Sequence, residues 1–512
     1  MSKNVLLILG FIIISMPAYA QFKPLQQGDF TDYGLTFFGK QQDVITCDLN
    51  KDGLTDIMVT HYGVKDAKWL RYVSIYYQFE KITFTNLPFQ TLVLPDTAVA
   101  LTWGDFTEED GMEIAFYAED GVYYFGSENG LYSDTPKLLL YAPTFFKKPQ
   151  RISIPIFMGN VDIDGNGRDD LVIPQKNNVK ILLQTQSGLY EKICDLQCLS
   201  SNTVARGADM RKNMLFQYET AMPVISCADM NGDRRKDIIL LTRKHYDCFL
   251  QNKESGFSSK PDFSAELPVT NDEKITGNRL DTAFVKFVDI NNDSCVDLLI
   301  TSTEGELASL DTLNTKQYLF INNKNGTYPA VPNQIIRVDG VSIFPQITDI
   351  DHDGSMDMAL SSFNIDIGST ARVALLGDVA ITYYVYHFLS GKNRFGDIPD
   401  FDRTVYVPNK KLEKGGGKFM TNMHFTGDFN GDGKNDMLIY SATQKDNMEI
   451  RINSENKSNI RFEKDSYFID TIKDEDLPKE IRVLDFNKDG KSDILMLYGG
   501  SRMTVKIAKK IK

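Results

Sequence analysis

One nine-residue pattern recurs along this chain and constrains its fold more than any other feature. It reads D-x-[DN]-x-[DN]-x-x-x-D and runs directly into an apolar stretch. Seven close copies begin at Asp48, Asp162, Asp229, Asp289, Asp349, Asp428 and Asp485. An eighth, degraded copy, DFTEEDGME, begins at Asp105. Successive starts lie 57, 57, 67, 60, 60, 79 and 57 residues apart. So regular a period implies a repeat architecture, in which each unit buries its apolar surface only against its neighbours.

The pattern opens like an EF-hand loop but does not close like one. An EF-hand needs a bidentate Glu at position 12 and a helix on either side. Position 12 here is Val59, Phe116, Ile173, Leu240, Ile300, Leu360, Ile439 or Met496, all apolar. The loop closes early, at position 9, and passes into short aliphatic runs such as DIMVT, DIILLT and DMLIY. Such runs read as buried strands, not helices. Paired dockerin-like repeats are excluded on the same ground.

The loop chemistry suits calcium, a hard cation that takes six to eight oxygens. Positions 1, 3, 5 and 9 supply the candidate side-chain ligands, and position 7 a carbonyl. These are Asp48, Asn50, Asp52 and Asp56; Asp162, Asp164, Asn166 and Asp170; and Asp229, Asn231, Asp233 and Asp237. The later loops offer Asp289, Asn291, Asp293 and Asp297; Asp349, Asp351, Asp353 and Asp357; Asp428, Asn430, Asp432 and Asp436; and Asp485, Asn487, Asp489 and Asp493. Gly at position 6 permits the positive φ that curls the loop, and Gly53, Gly167, Gly354, Gly433 and Gly490 keep it. Arg234 and Ser294 replace it at a cost of about 1 kcal/mol each, so weaker binding is expected there. The Asp105 copy is expected to bind poorly or not at all.

The competing reading is a set of metal-free acidic turns held by Asx hydrogen bonds. Charge favours the metal. The eight windows carry 28 of the 69 acidic residues and 8 basic ones, a net −20, against −13 for the whole chain. The remainder is therefore +7. Carboxylates packed into one turn repel each other unless a cation offsets them.

Between loops, each unit carries a second signature, a Gly turn followed by an aromatic. Examples are VYYFGSENGLY, VKILLQTQSGLY and YLFINNKNGTY. Each unit then reads as four antiparallel strands. Such units close into a ring that protects their edges, a β-propeller. Eight loops predict eight blades, with seven as the alternative if the Asp105 copy is not a full blade. Few residues follow the last loop, so an N-terminal strand containing YGLTFFGK is expected to complete the last blade and fasten the ring.

The loops, with their following strands and Gly-aromatic turns, resemble the FG-GAP/VCBS repeat family, whose relatives include the integrin α-subunit propellers. TWGDF, FTGDFNGDG and FGSENGLY carry the resemblance, which spans roughly residues 30–508 and points to an exported, bacterial-type member. It implies a propeller with Ca²⁺ between the first two strands of a blade. Arg234, Ser294 and the Asp105 copy depart from the family pattern.

The first 20 residues, MSKNVLLILGFIIISMPAYA, read as a signal peptide: a basic start, a short apolar run and an Ala-Tyr-Ala cut. Residues 21–512 are then one propeller domain, exported to the periplasm, cell surface or medium, with no membrane span in the mature chain. Six cysteines stand at irregular spacings, and Cys194 and Cys198 could bridge or stay free.

Enzyme signals are thin. His61, His245, His352, His387 and His424 fall in no catalytic motif, and no Gly loop cradles a phosphate. The acidic balance argues against nucleic acid. The expected function is non-enzymatic binding of a glycan or protein partner, with no catalytic residue and with structural calcium. The alternative is a polysaccharide-active enzyme of the lyase kind. Two stretches stand out for binding: residues 61–72 with Trp69, and residues 383–407 in the long sixth repeat. Along the latter, period-2 alternation predicts that Tyr384, Tyr386 and Phe388 fill the space between blades.

Overall fold

Each apolar run behind an acidic loop forms a strand buried on both faces. Successive side chains of a strand point opposite ways. Ile57 and Val59 therefore enter one core, and Met58 the next. Likewise Ile238 and Leu240 face one neighbour and Ile239 the other. In each case the strand is the second of an antiparallel blade and joins two interblade cores.

This computed structural model describes residues 30–79, 84–147, 152–186, 188–198, 201–206, 216–242, 245–254, 256–268, 279–306, 309–363, 378–408, 423–441, 447–454, 460–471 and 478–509. The signal-peptide reading falls on residues outside this set. The fold is an eight-bladed β-propeller. The first blade comprises β2 (Lys40–Cys47), β3 (Asp56–Lys65), β4 (Lys68–Tyr76) and β5 (Gln90–Leu94), paired in that order. The Asp105 copy heads a full blade, in which Ala100–Gly104, Glu113–Tyr117, Gly121–Phe125 and Lys137–Tyr141 form one sheet. That settles the blade count at eight rather than seven.

The ring closes as expected. β1 (Phe30–Thr36) pairs antiparallel with Arg502–Ala508, from Phe30 opposite Ala508 to Thr36 opposite Arg502. It is the outer strand of the last blade. The core across the closure joins Leu35, Phe37, Val44 and Val59 to Phe486, Leu495 and Leu497. First strands of neighbouring blades approach each other and line the centre.

The third blade departs from the four-strand expectation. Its sheet holds Leu171–Pro174, Asn178–Gln186 and Leu189–Gln197 only. The segment before its acidic loop runs beside the inner strand of the second blade instead. The Leu101 N–H donates to Pro155 O at 2.8 Å, and the Phe157 N–H to Leu101 O at 2.8 Å. Pro155 has no N–H to give a ladder, which disfavours a regular inner strand there. None of the six cysteines forms a disulfide. Cys194 and Cys198 lie four residues apart along extended chain, about 13 Å at a strand's rise, too far to bridge.

Candidate metal loops and the opposite rim

Seven acidic loops share one hydrogen-bond plan. The position-1 Asp accepts the N–H of position 6 at 2.6–3.0 Å. The position-3 side chain accepts the N–H of position 5 at 2.9–3.2 Å. Position 5 accepts the N–H of position 7 at 2.7–3.0 Å. The residues named in the sequence therefore converge on one turn. Arg234 and Ser294 adopt φ of 66° and 72° and keep the same bond to position 1, so the backbone closes without Gly.

Position 4 is left-handed as well, at Lys51, Gly165, Gly232, Asn292, His352, Gly431 and Lys488, a requirement the sequence reading did not anticipate. Position 2 is a second unanticipated feature. Leu49, Ile163, Met230, Ile290, Ile350, Phe429 and Phe486 are all buried, and each plugs the loop into the protein interior.

Position 9 is the tie between loop and blade. Asp56, Asp170, Asp237, Asp297, Asp357, Asp436 and Asp493 are buried at the start of the second strand. Their Oδ2 accepts the N–H of position 2 at 2.7–3.0 Å. Their Oδ1 accepts an N–H from Gln78, Gln184, Gln251, Asn322, Phe388, Asn453 or Ala508 at 2.8–2.9 Å. A carboxylate has about four lone-pair sites, so each oxygen retains one for a cation. Burial pushes Asp56, Asp170, Asp297, Asp436 and Asp493 up to about 7 and Asp237 to about 6.

Two loops bring three carboxylates within 4.8 Å of one another, Asp162/Asp164/Asp170 and Asp349/Asp351/Asp357. These clusters could hold a metal ion. The sixth loop also meets His387, whose Nε2 lies 3.5 Å from Asp351 and 3.6 Å from Asp353. Burial would lower the His387 imidazolium, but Asp357, Asp351 and Asp353 outweigh it and raise its pKa above the ordinary value. Aligning the repeats on the third-strand residue that bonds position 9 places Tyr77, Leu183, Leu250, Ile321, Ile452 and Ile507 where His387 stands. That alignment was the signal for it.

The Asp105 loop is braced differently. Lys51, from the first loop, meets Asp105 at 2.6 Å, and Lys137 meets Glu109 at 2.5 Å. Glu113 is buried, accepts the Phe106 N–H at 2.6 Å and accepts the Thr107 hydroxyl. Two ammonium groups thus stand against its carboxylates.

At the other end of β3 lies the opposite rim. β3 and β4 run past the short strands of most blades and turn at Asp66 and Ala67, both with positive φ, a two-residue hairpin turn. Trp69, 57% exposed, pairs with exposed Val64 and rests on Tyr62 at 5.8 Å between ring centroids. Exposed Phe38 covers the other face of the hairpin, against Gly63 and edge-on to Tyr72. The second stretch behaves as period-2 alternation predicts: Tyr386 and Phe388 lie in the core between the fifth and sixth blades, with Tyr384 packed against it. His61 is a core residue, bonded to Ser74 at 2.8 Å, and burial lowers it to about 4. His352 is exposed. Among the described residues no helix is long and apolar enough to cross a membrane.

No family model matches the chain. A stretch of 185 residues is 29% identical to integrin alpha-PS3 of Drosophila melanogaster, covering 33% of this chain and 15% of that protein. The chain thus spans under a sixth of the length of that relative. Among solved structures, an Agrocybe aegerita lectin with specific recognition of non-reducing terminal N-acetylglucosamine aligns with TM-score 0.40 and 15% identity, over 83% of this chain and 94% of that one. The V. cholerae biofilm matrix protein Bap1 aligns with TM-score 0.34 and 10% identity, over 93% and 88%. The exotype rhamnogalacturonan lyase YesX aligns with TM-score 0.35 and 10% identity, over 93% and 76%.

Proposed function

We propose that this is an exported, non-enzymatic propeller of the FG-GAP/VCBS kind that binds a glycan or protein partner on a rim built by calcium-pinned blades. The observation that carries the binding reading is the first-blade hairpin. It projects an exposed Trp69 with Val64 and Tyr62 from the rim opposite the acidic loops. An indole with one wet face stacks on a sugar ring or fills a pocket on a protein. Calcium is supported by the turn geometry that these loops share and by the three carboxylates gathered in the Asp162 loop; the sixth loop, with a nitrogen in reach, is treated below. In this reading the ion offsets carboxylate repulsion and holds each turn, while the partner is met elsewhere.

The test is a glycan array run with calcium and with EDTA, followed by Trp69→Ala on any hit. A loss of tenfold or more, with the fold intact, supports the assignment. Binding unchanged by Trp69→Ala would move the site off this hairpin. Cleavage of a uronate polymer in a parallel assay would replace the binding reading with a lyase.

A further inference from the structure

The sixth loop differs from the other six in three ways, all at one spot. It alone has Asp at positions 1, 3, 5 and 9: Asp349, Asp351, Asp353 and Asp357. In five other loops position 3 is Asn, and in four of them its amide donates to the position-5 Asp at 3.0–3.2 Å. Asp351 has no such N–H to give. The space facing it is filled by His387, which is 96% buried. Neither ring nitrogen of His387 has a hydrogen-bond partner, and neither does Asp351 Oδ2. A buried imidazole with both nitrogens unpartnered is costly unless something else uses it.

The geometry identifies what could. One ligand atom each from Asp351, Asp353 and His387 lie within 4.8 Å of one another. The His387 Nε2 distances of 3.5 and 3.6 Å are long for hydrogen bonds. They match the edge of a tetrahedron around a cation with bonds of about 2.1 Å, which is roughly 3.4 Å. The backbone that carries the ring is pinned. The His387 backbone N–H donates to the Asp400 carboxylate at 3.0 Å, and the Phe388 backbone N–H donates to Asp357 at 2.9 Å. Calcium takes oxygens, whereas an imidazole nitrogen beside carboxylates suits zinc and its first-row neighbours.

We propose that the sixth loop binds a zinc-class transition cation through Asp351, Asp353 and His387, with water completing the shell. It departs from the calcium reading at this loop alone and stands whether or not the others take calcium. Asp351 is shared with the Asp349/Asp351/Asp357 cluster, so the two ion types compete for this turn.

The test uses the mature full chain, stripped with EDTA, returned to millimolar calcium to fill the oxygen loops, and titrated with Co²⁺. One Co²⁺ per chain with tetrahedral visible absorption is expected, displaced by one equivalent of Zn²⁺. His387→Gln should weaken Co²⁺ binding at least as much as the ~10–100-fold typical of losing an outer-shell partner. His352→Gln, at the exposed histidine of the same loop, should leave it unchanged. If His387→Gln fails to fold by circular dichroism, Asp353→Asn replaces it, and loss of the Co²⁺ spectrum supports the site. Three results would overturn it. One is no Co²⁺ uptake in calcium, with His387 then serving as a protonated counter-ion. The second is equal binding by wild type and the site variant. The third is several equivalents bound without the tetrahedral band.

Discussion

The Asp428 loop and the Asp105 loop occupy the same place in their blades and solve the same electrostatic problem by different means. The first keeps four ligand-type side chains, and its position-9 Asp436 spends both oxygens on backbone N–H groups. The second has Thr107 and Glu109 inside and draws Lys51 and Lys137 onto its carboxylates. Both loops still drive a buried residue at position 2, Phe429 or Phe106, into the interior. The ammonium groups offset charge at the Asp105 loop only, while the tie from position 9 to the position-2 backbone is common to both. Two roles that one motif seemed to merge come apart: holding charge, and anchoring the blade.

The largest expected break in the comparison is metal removal. A ligand held at 100 times its Kd adds about 2.7 kcal/mol per site. With six or more loops, EDTA should lower the Tm by roughly 10–20 °C, and excess calcium should restore it. Calorimetry in the two buffers reads this directly, and an unchanged Tm would leave the loops as metal-free Asx turns. Next in size is Asp436→Ala, which strands two buried N–H groups. It should cost about 2–5 kcal/mol in calcium and in EDTA alike. Asp432→Ala, at exposed position 5, should cost stability in calcium only. Equal behaviour of the two variants in EDTA would erase the distinction between charge-holding and anchoring positions.

The pH response sharpens the same contrast. Burial raises position-9 carboxyls such as Asp436 and Asp493 to about 7, well above their unfolded values. The folded metal-free protein thus holds protons that the unfolded chain has released. Its stability should be fullest below about pH 4 and should fall as pH rises towards 7. Calcium needs the deprotonated carboxylate, so the Tm gain it confers should grow over that window. Melting curves from pH 5 to 8, with and without the ion, test the opposite slopes.

Much of this was written in the sequence, for physical reasons that differ by feature. The loop starts, the aliphatic runs and the spare N-terminal strand gave eight blades and the closure through β1. Each is a local pattern with a fixed period. The anchoring role of position 9 was hidden, because a carboxylate that accepts backbone N–H groups looks the same in sequence as one that holds a metal. The left-handed position 4 was blurred by Lys51, His352 and Lys488, which adopt a conformation that usually announces itself through Gly or Asn. The missing inner strand of the third blade was not anticipated, because every unit was read as four strands and Pro155 went unweighed. His387 was weighed against catalytic motifs rather than against the residues that take its place in the other blades.

The finest test concerns Lys51 itself. It sits at position 4 of a metal-type loop and reaches Asp105 in the loop that has no metal pattern, so it links the two solutions across one blade interface. Its side chain is 42% exposed and that of Asp105 30% exposed, so solvent screens the pair. Lys51→Met should cost only about 0.5–1 kcal/mol. The same φ is imposed on Met as on Lys, so backbone strain cancels. What distinguishes a lysine brace from an ion is its indifference to calcium. The loss should be the same with the ion and with EDTA, and Asp105→Asn should add little to it in a double-mutant cycle. If the cost of Lys51→Met disappears in calcium, an ion can take the lysine's place. The Asp105 loop would then be a weak metal site and not a substitute for one.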